Sequence, residues 1–220
     1  AELFLIARNE ARLEQLVADL EVRGAKISGH LSLDISKTIG HKKALETALN
    51  SLEKIDLALI CHGDLPDQAA CENSFKMAQK AINVNGLSTI SLLTIFADTF
   101  KSQGFGSIAV ITSVAGDRGR QPNFVYGASK ALVSTYLQGL RGVLLPHGVH
   151  VLDIKPGLVD SPMTAEFEKG PLWSSPELVA KSIVKGVSKK RLVIYAPGYW
   201  RLIMMVVVSI PEIIFQRLKF

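Results

Sequence analysis

Short apolar runs rich in β-branched residues recur along this chain, separated by helical patterns, and that alternation restricts its fold more than any other feature. Glu2-Leu-Phe-Leu-Ile6, Ile55–Ile60, Ser107-Ile-Ala-Val-Ile-Thr112 and Val149-His-Val-Leu-Asp-Ile154 each read as a strand. Runs that are apolar throughout fit strands of a parallel sheet covered on both faces. Between them, Glu10–Arg23 reads as an amphipathic helix and Phe124–Leu145 as a long one. Strand–helix alternation of this kind predicts an α/β chain with a doubly wound parallel sheet in three layers. A chain of 220 residues with 48% hydrophobic content can bury a substantial core, and no Gly/Ser- or Pro-rich linker divides it. Residues 1–220 are therefore expected to form one domain.

Open α/β sheets bind ligands beyond the carboxyl ends of their strands. Ser113 follows the run 107–112 directly, at that end. Val114 to Pro122 reads as a loop, and Tyr126-Gly-Ala-Ser-Lys130 then lies near the start of the long helix, with Ser113 thirteen residues before the tyrosine. Residues four apart on a helix share a face, so the Lys130 ammonium can sit beside the Tyr126 phenol. A phenol has an ordinary pKa of about 10, and a nearby cation favours its ionised form. A serine hydroxyl at the same point can hold a carbonyl oxygen while the phenol gives or takes a proton. This is chemistry suited to hydride transfer between a ketone and an alcohol. Tyrosine and lysine also occur at this spacing on many solvated helices, so the preceding strand and serine carry the reading. The second β-rich run ends in Lys155-Pro156-Gly157, a turn that takes the chain off the sheet edge.

These residues resemble the short-chain dehydrogenase/reductase family over nearly the whole chain. Ser113, Tyr126 and Lys130 fall on its catalytic positions. Asn85, in Ile82-Asn-Val-Asn-Gly86, falls on a fourth, where an asparagine kinks a helix and helps tie the lysine into a water chain. Pro156-Gly-Leu-Val-Asp-Ser161 matches the segment that meets the nicotinamide, with serine for the usual threonine. The resemblance thus implies a Rossmann-like fold and a nicotinamide cofactor. It assigns Pro156, Gly157, Val159 and Ser161 to that cofactor, together with Tyr126 and Lys130.

The same resemblance implies further contacts in the front half. Arg8, in Ile6-Ala-Arg-Asn9, matches the position that holds the 2′-phosphate of NADP, so NADP(H) is expected to be preferred and NAD(H) admitted. A surface arginine at the start of a helix is the alternative reading. Asp34 matches an aspartate beside the adenine and could equally cap the helix that follows. Gly63, in Cys61-His-Gly63, lets the backbone approach the cofactor, whereas His62 departs from the usual Asn-Ala-Gly. No glycine-rich pyrophosphate turn is found, and Glu2–Ile6 reads as the second strand. The first βα unit, on the order of thirty residues, is expected to be missing, and with it the central strand of the sheet.

Cys61, Cys71 and the five scattered histidines form no metal-ligand spacing, and two cysteines alone favour a reduced compartment without disulfides. The net charge of +5 is unevenly placed: from Lys181 onward stand Lys181, Lys185, Lys189, Lys190, Arg191, Arg201, Arg217 and Lys219 against Glu212. Interleaved with them is a tail, residues 192–220, with the apolar stretch Leu202–Val208, far short of the roughly 20 residues of a spanning helix. A basic, aromatic-flanked apolar tail fits a segment lying in a membrane interface. A helix that completes a substrate lid or a dimer interface fits it as well. Nucleic acid is not an expected partner, because the cations alternate with aliphatics and no recognition fold accompanies them.

Gln103-Gly-Phe-Gly106, Asn123-Phe-Val-Tyr-Gly127 and the ending Ala196-Pro-Gly-Tyr-Trp…Met204-Met…Ile210-Pro…Phe215 resemble the keto-reductase half of the decaprenylphosphoryl-ribose 2′-epimerase. That resemblance implies a lipid-linked keto-sugar substrate used in cell-wall assembly, a flavin oxidase partner, and a cytoplasmic enzyme touching the inner face of the membrane. Two other readings stay open: a soluble reductase of lipid or small carbonyl substrates, and a cofactor-binding protein without catalysis. The segment from Met163 to Pro171 is expected to form a substrate lid. The helices around Leu87–Phe100 and Val125–Leu145 are where relatives dimerise, so a homo-oligomer is expected.

Overall fold

The computed structural model describes residues 1–218; Lys219, counted above among the tail's cations, lies outside the described residues. The elements run β1 (Glu2–Ala7), α1 (Glu10–Val22), β2 (Lys26–Ser32), α2 (His41–Leu52), β3 (Leu57–Ile60), α3 (Gln68–Asn73), α4 (Phe75–Ile82), α5 (Ser88–Gln103), β4 (Gly106–Ile111), α6 (Phe124–Leu144), β5 (Val149–Pro156), α7 (Pro176–Ser188), β6 (Val193–Ala196), α8 (Trp200–Ser209) and α9 (Glu212–Phe215). All strand pairs are parallel, and the architecture is the expected three-layer, Rossmann-like α/β fold.

Alternation of side chains along the strands decides what each face buries. Ala58, Ile60, Ile108, Val110, Val149 and Val151 turn toward α2, α5 and α6, where Leu45, Leu93, Phe100, Val133, Leu137 and Leu144 close over them. Ala109, Leu152 and Ile154 face the other way and meet Val179 and Ile183 of α7. The inner stripe of α6 is Val125, Ser129, Val133, Leu137, Leu140 and Leu144, spaced by three and four as a helix face requires. Lys130 lies on this inner stripe too, 4% exposed, which carries its long side chain to the top of the sheet. The helical run Phe75–Gln103 is apolar and long enough to cross a membrane by length and composition alone. Its residues Leu92, Leu93, Ala97 and Phe100 instead build the core beneath β3 and β4.

The sheet differs from a single continuous one. β1 and β2 pair with each other, β3-β4-β5-β6 form a second sheet, and no ladder joins β1 to β3 among the described residues. Without that ladder, β3 buries only one side: Ala58 and Ile60 are 6% and 5% exposed, while Leu57 and Leu59 are 40% and 43% exposed. The two sheets are bridged by α2, which packs against β1, β2 and α5.

Candidate active site

Ser113 leaves β4 in an extended conformation and caps the short helical turn Val114–Gly116, its hydroxyl accepting from the Ala115 amide at 3.1 Å. That turn lies directly against α6. A Cβ at Gly127 would sit 2.7 Å from the Ala115 carbonyl oxygen, so glycine there lets the helix start press onto the serine turn. The approach brings Tyr126 to Ser113, which hydrogen-bonds the phenol.

Lys130, one turn further along α6, donates to the Ile111 carbonyl at 3.1 Å, and its Nζ lies 5.7 Å from the Tyr126 ring centroid. Burial pulls the ammonium down to about 8, opposed by Asp153 and then Cys61. The phenol moves contrary to the sequence expectation: Tyr126 is held above its ordinary value because burial dominates, with the Ser113 hydrogen bond opposing. The lysine's hydrogen-bond partner is a carbonyl of β4, and the cost of removing the phenol from water sets the direction.

Asn85 occupies a single π turn, Asn83–Leu87, between α4 and α5. This is the kink expected there, and the side chain is fully buried. Its Nδ2 donates to the carbonyls of Asp64 at 2.8 Å and Ala81 at 3.1 Å, while Oδ1 accepts from the Asp64 amide at 2.8 Å. Asn85 thereby ties the segment after β3 to the helix kink. Gly63 lies in that segment, where a Cβ would stand 3.0 Å from Asn85 Oδ1 and 3.3 Å from Lys130 Nζ. His62, unaccounted for in the sequence, is a neutral tether: its Nε2 meets Ser88 Oγ at 2.8 Å and Thr89 Oγ1 at 3.3 Å, and burial draws it down to about 4.

The remaining cofactor candidates divide by position. Pro156 ends β5 and is buried. The Trp200 ring covers Gly157, where any side chain would overlap it. Val159 bridges to Ser174, and Ser161 begins the turn Pro162–Thr164 in a reciprocal cap with Thr164. Arg8 and Asp34 follow β1 and β2 at the same end of the sheet. The exposed Arg8 guanidinium makes no hydrogen bond or ion pair among the described residues, and Asp34 is near enough to feel its charge. Asp34 does not cap a helix: its Oδ1 accepts from the Ser36 amide at 3.1 Å and the Ser36 hydroxyl at 2.8 Å, closing a local turn.

Several residues near the site escaped sequence reading. Behind Ser113, Lys155 is ion-paired to Asp117 and lies 3.9 Å from Asp153, Tyr195 donates to Asp117 at 2.9 Å, and Thr112 donates to Asp153 at 2.5 Å. Lys155 lay in plain view before Pro156, but nothing in the sequence paired it with Asp117. The tail is also held to the site. Trp200 and Met204 pack on Val114. Arg118 donates to the carbonyls of Val207 at 2.7 Å and Ile210 at 2.5 Å, pairs with Glu212 at 2.8 Å and stacks on Phe215. The segment Met163–Pro171, expected to form a lid, is largely exposed, with Lys169 on Asp160 at 3.2 Å.

A family model described as short chain dehydrogenase matches residues 1–171. An uncharacterized oxidoreductase of Streptomyces coelicolor is 30% identical over 214 residues, 97% of this chain and 84% of that protein. Another, of Mycobacterium tuberculosis, is 29% identical over 218 residues, 99% of this chain and 88% of that protein. Among solved structures, a short-chain dehydrogenase of Burkholderia phymatum in complex with NAD superposes with a TM-score of 0.84 at 19% identity, covering 100% of this chain and 87% of that one. An alcohol dehydrogenase of Thermococcus sibiricus complexed with 5-hydroxy-NADP superposes at 0.76 and 23% identity, over 88% of this chain and 84% of that one. With a family model spanning most of its length and a relative at this identity, the chain belongs to the short-chain dehydrogenase family of NAD(P)-dependent oxidoreductases.

Proposed function

We propose that the chain reduces a ketone with NADP(H), in preference to NAD(H), using Ser113, Tyr126, Lys130 and Asn85. One observation carries this reading: a serine hydroxyl, a phenol and a buried ammonium converge at the carboxyl end of β4. The residues fit a nicotinamide dinucleotide. Gly63 opens the backbone beside Lys130 and Asn85, and the exposed Arg8 guanidinium, without a hydrogen bond or ion pair among the described residues, is free to meet a phosphate.

When bound, the cofactor supplies hydride to the keto carbon. Ser113 and Tyr126 hydrogen-bond the carbonyl oxygen, and Tyr126 gives it a proton. Lys130 stabilises the negative charge left on the phenol, and Asn85 holds the Gly63–Asp64 segment in place beside the lysine. The buried Trp200 ring covers Gly157 on one side. Tyr126→Phe is expected to lower ketone-dependent NADPH oxidation by at least about a hundredfold while NADPH still quenches protein fluorescence with near-unchanged affinity. Retained turnover in that variant would sink the assignment.

The finer reading is a 2-keto pentose on a polyprenyl phosphate, delivered by a flavin oxidase in cell-wall assembly, with the enzyme cytoplasmic and resting on the membrane's inner face. Its support is the resemblance of the ending to that sub-family and the outer face of α8, where Leu202, Met205 and Val206 are 64%, 62% and 62% exposed beside Arg201. The second reading, a soluble reductase whose tail is a packing element, draws on the buried Trp200 and Met204 and the Arg118 clamp. Co-sedimentation with anionic vesicles that is lost in Leu202→Glu/Met205→Glu supports the first; no co-sedimentation supports the second.

Residues 1–220 form one domain in this proposal, with 192–220 part of it. A homo-oligomer would cover the groove between α2, α5 and α6, lined by Leu49, Ile95, Tyr136, Leu140 and Val143.

A further inference from the structure

Between Ser113 and Tyr126 the chain carries two arginines in different circumstances. Arg118 is fully engaged by the tail. Arg120 makes no hydrogen bond and no ion pair among the described residues, and its Nε is sealed from solvent without a partner. A buried donor left unpaired is costly, and more so when charged, so such a group needs an explanation, a bound ligand among them.

Its one electrostatic neighbour among the described residues, Asp117, is already occupied: one carboxylate oxygen takes Lys155 and the other takes the Tyr195 hydroxyl. Around Asp117 and Asp153 stand the cations Lys130, Lys155 and Arg120, with Arg141 also acting on Asp153. Asn123, at the end of the turn that Arg120 begins, has a buried Oδ1 also without a partner, and so does Trp200 Nε1. These orphaned groups lie on the 113–126 loop and on the helix packed against it.

We propose that Arg120 recognises an anionic group, a phosphate or a carboxylate, carried by the ketone substrate. The inference rests on the reductase reading of Ser113 and Tyr126 for the word substrate, but not for the anion site itself. A guanidinium offers a planar, two-pronged donor to either oxyanion, and the net positive balance around it favours such a guest.

The test has a binding arm and a turnover arm. Protein labelled with ¹⁵N-arginine is titrated with methyl phosphate and with 4-oxopentanoate, following Nε–H resonances; Arg120→Lys and Arg8→Lys identify their signals by loss. A saturable shift of the Arg120 resonance supports the site, and the stronger of the two titrants identifies the oxyanion. Movement of the Arg8 signal alone, or of neither, overturns it. In the turnover arm, NADPH-dependent reduction of 4-oxopentanoate is compared with that of its methyl ester. Arg120→Gln should lower the acid-to-ester ratio of kcat/KM by about tenfold or more, with Arg120→Lys intermediate. An unchanged ratio overturns the proposal and leaves the reductase reading intact. A shifting Arg120 signal without reduction of any ketone keeps the anion site and sinks the reductase.

Discussion

Lys130 is 4% exposed, and loss of water pulls its ammonium from 10.5 to about 8. Below pH 8 the lysine is charged in both folded and unfolded chains, and the folded state bears the full desolvation cost. Between about 8 and 10.5 the unfolded chain binds the extra proton, so stability from this group rises with pH, by roughly 3 kcal/mol in total. Lys130→Met is therefore expected to be more stable than the parent at pH 7, with the gap closing by pH 10.5, as read from urea midpoints. Activity should run the other way: kcat/KM for ketone reduction falls as pH rises through about 8, because the neutral amine no longer stabilises the ionised phenol. At the same scale, Asp117→Asn leaves the buried Lys155 with only Asp153 at 3.9 Å. A loss of about 3 kcal/mol is expected, measured by denaturant unfolding.

At the scale of the element, α6 joins the chemistry to the core. Its glycines separate by what surrounds them. A Cβ at Gly127 would lie 2.7 Å from the Ala115 carbonyl oxygen, whereas one at Gly139 or Gly142 would meet nothing within 4 Å. Gly139→Ala should raise stability by about 0.5–1 kcal/mol, since it removes backbone freedom from the unfolded chain without a clash. Gly127→Ala should instead lower it by about 1–3 kcal/mol and reduce kcat, because the helix start must back away from the serine turn. Opposite shifts in melting temperature from the same substitution at two points of one helix check this. The boundaries of α6 were legible because its apolar stripe repeats at helical spacing, and β4 and β5 because β-branched residues run unbroken. The π turn at Asn85 was legible only through resemblance. Local pattern holds no sign of it, since its cause is a side chain bonded to a segment 21 residues earlier.

Across the whole molecule, the tail is joined to the active-site loop by Arg118 and Trp200. Arg118→Met should free α8 and α9, giving faster proteolysis near Ile210 and a higher KM, with core stability little changed. Sequence alone established the α/β class, the strand-end position of Ser113, and the Tyr126–Lys130 pair, because each follows from spacing within a few residues or from an unbroken apolar run. Tertiary structure decided the rest. It divided the sheet between β1 and β3, gave the tail a buried face and a clamp, paired Lys155 with Asp117 and left the Arg120 Nε without a partner among the described residues. It also reversed the expected direction for Tyr126. These depend on which distant groups share a low-dielectric neighbourhood and how much water each has lost, and burial is a property of the packed chain, not of any window along it.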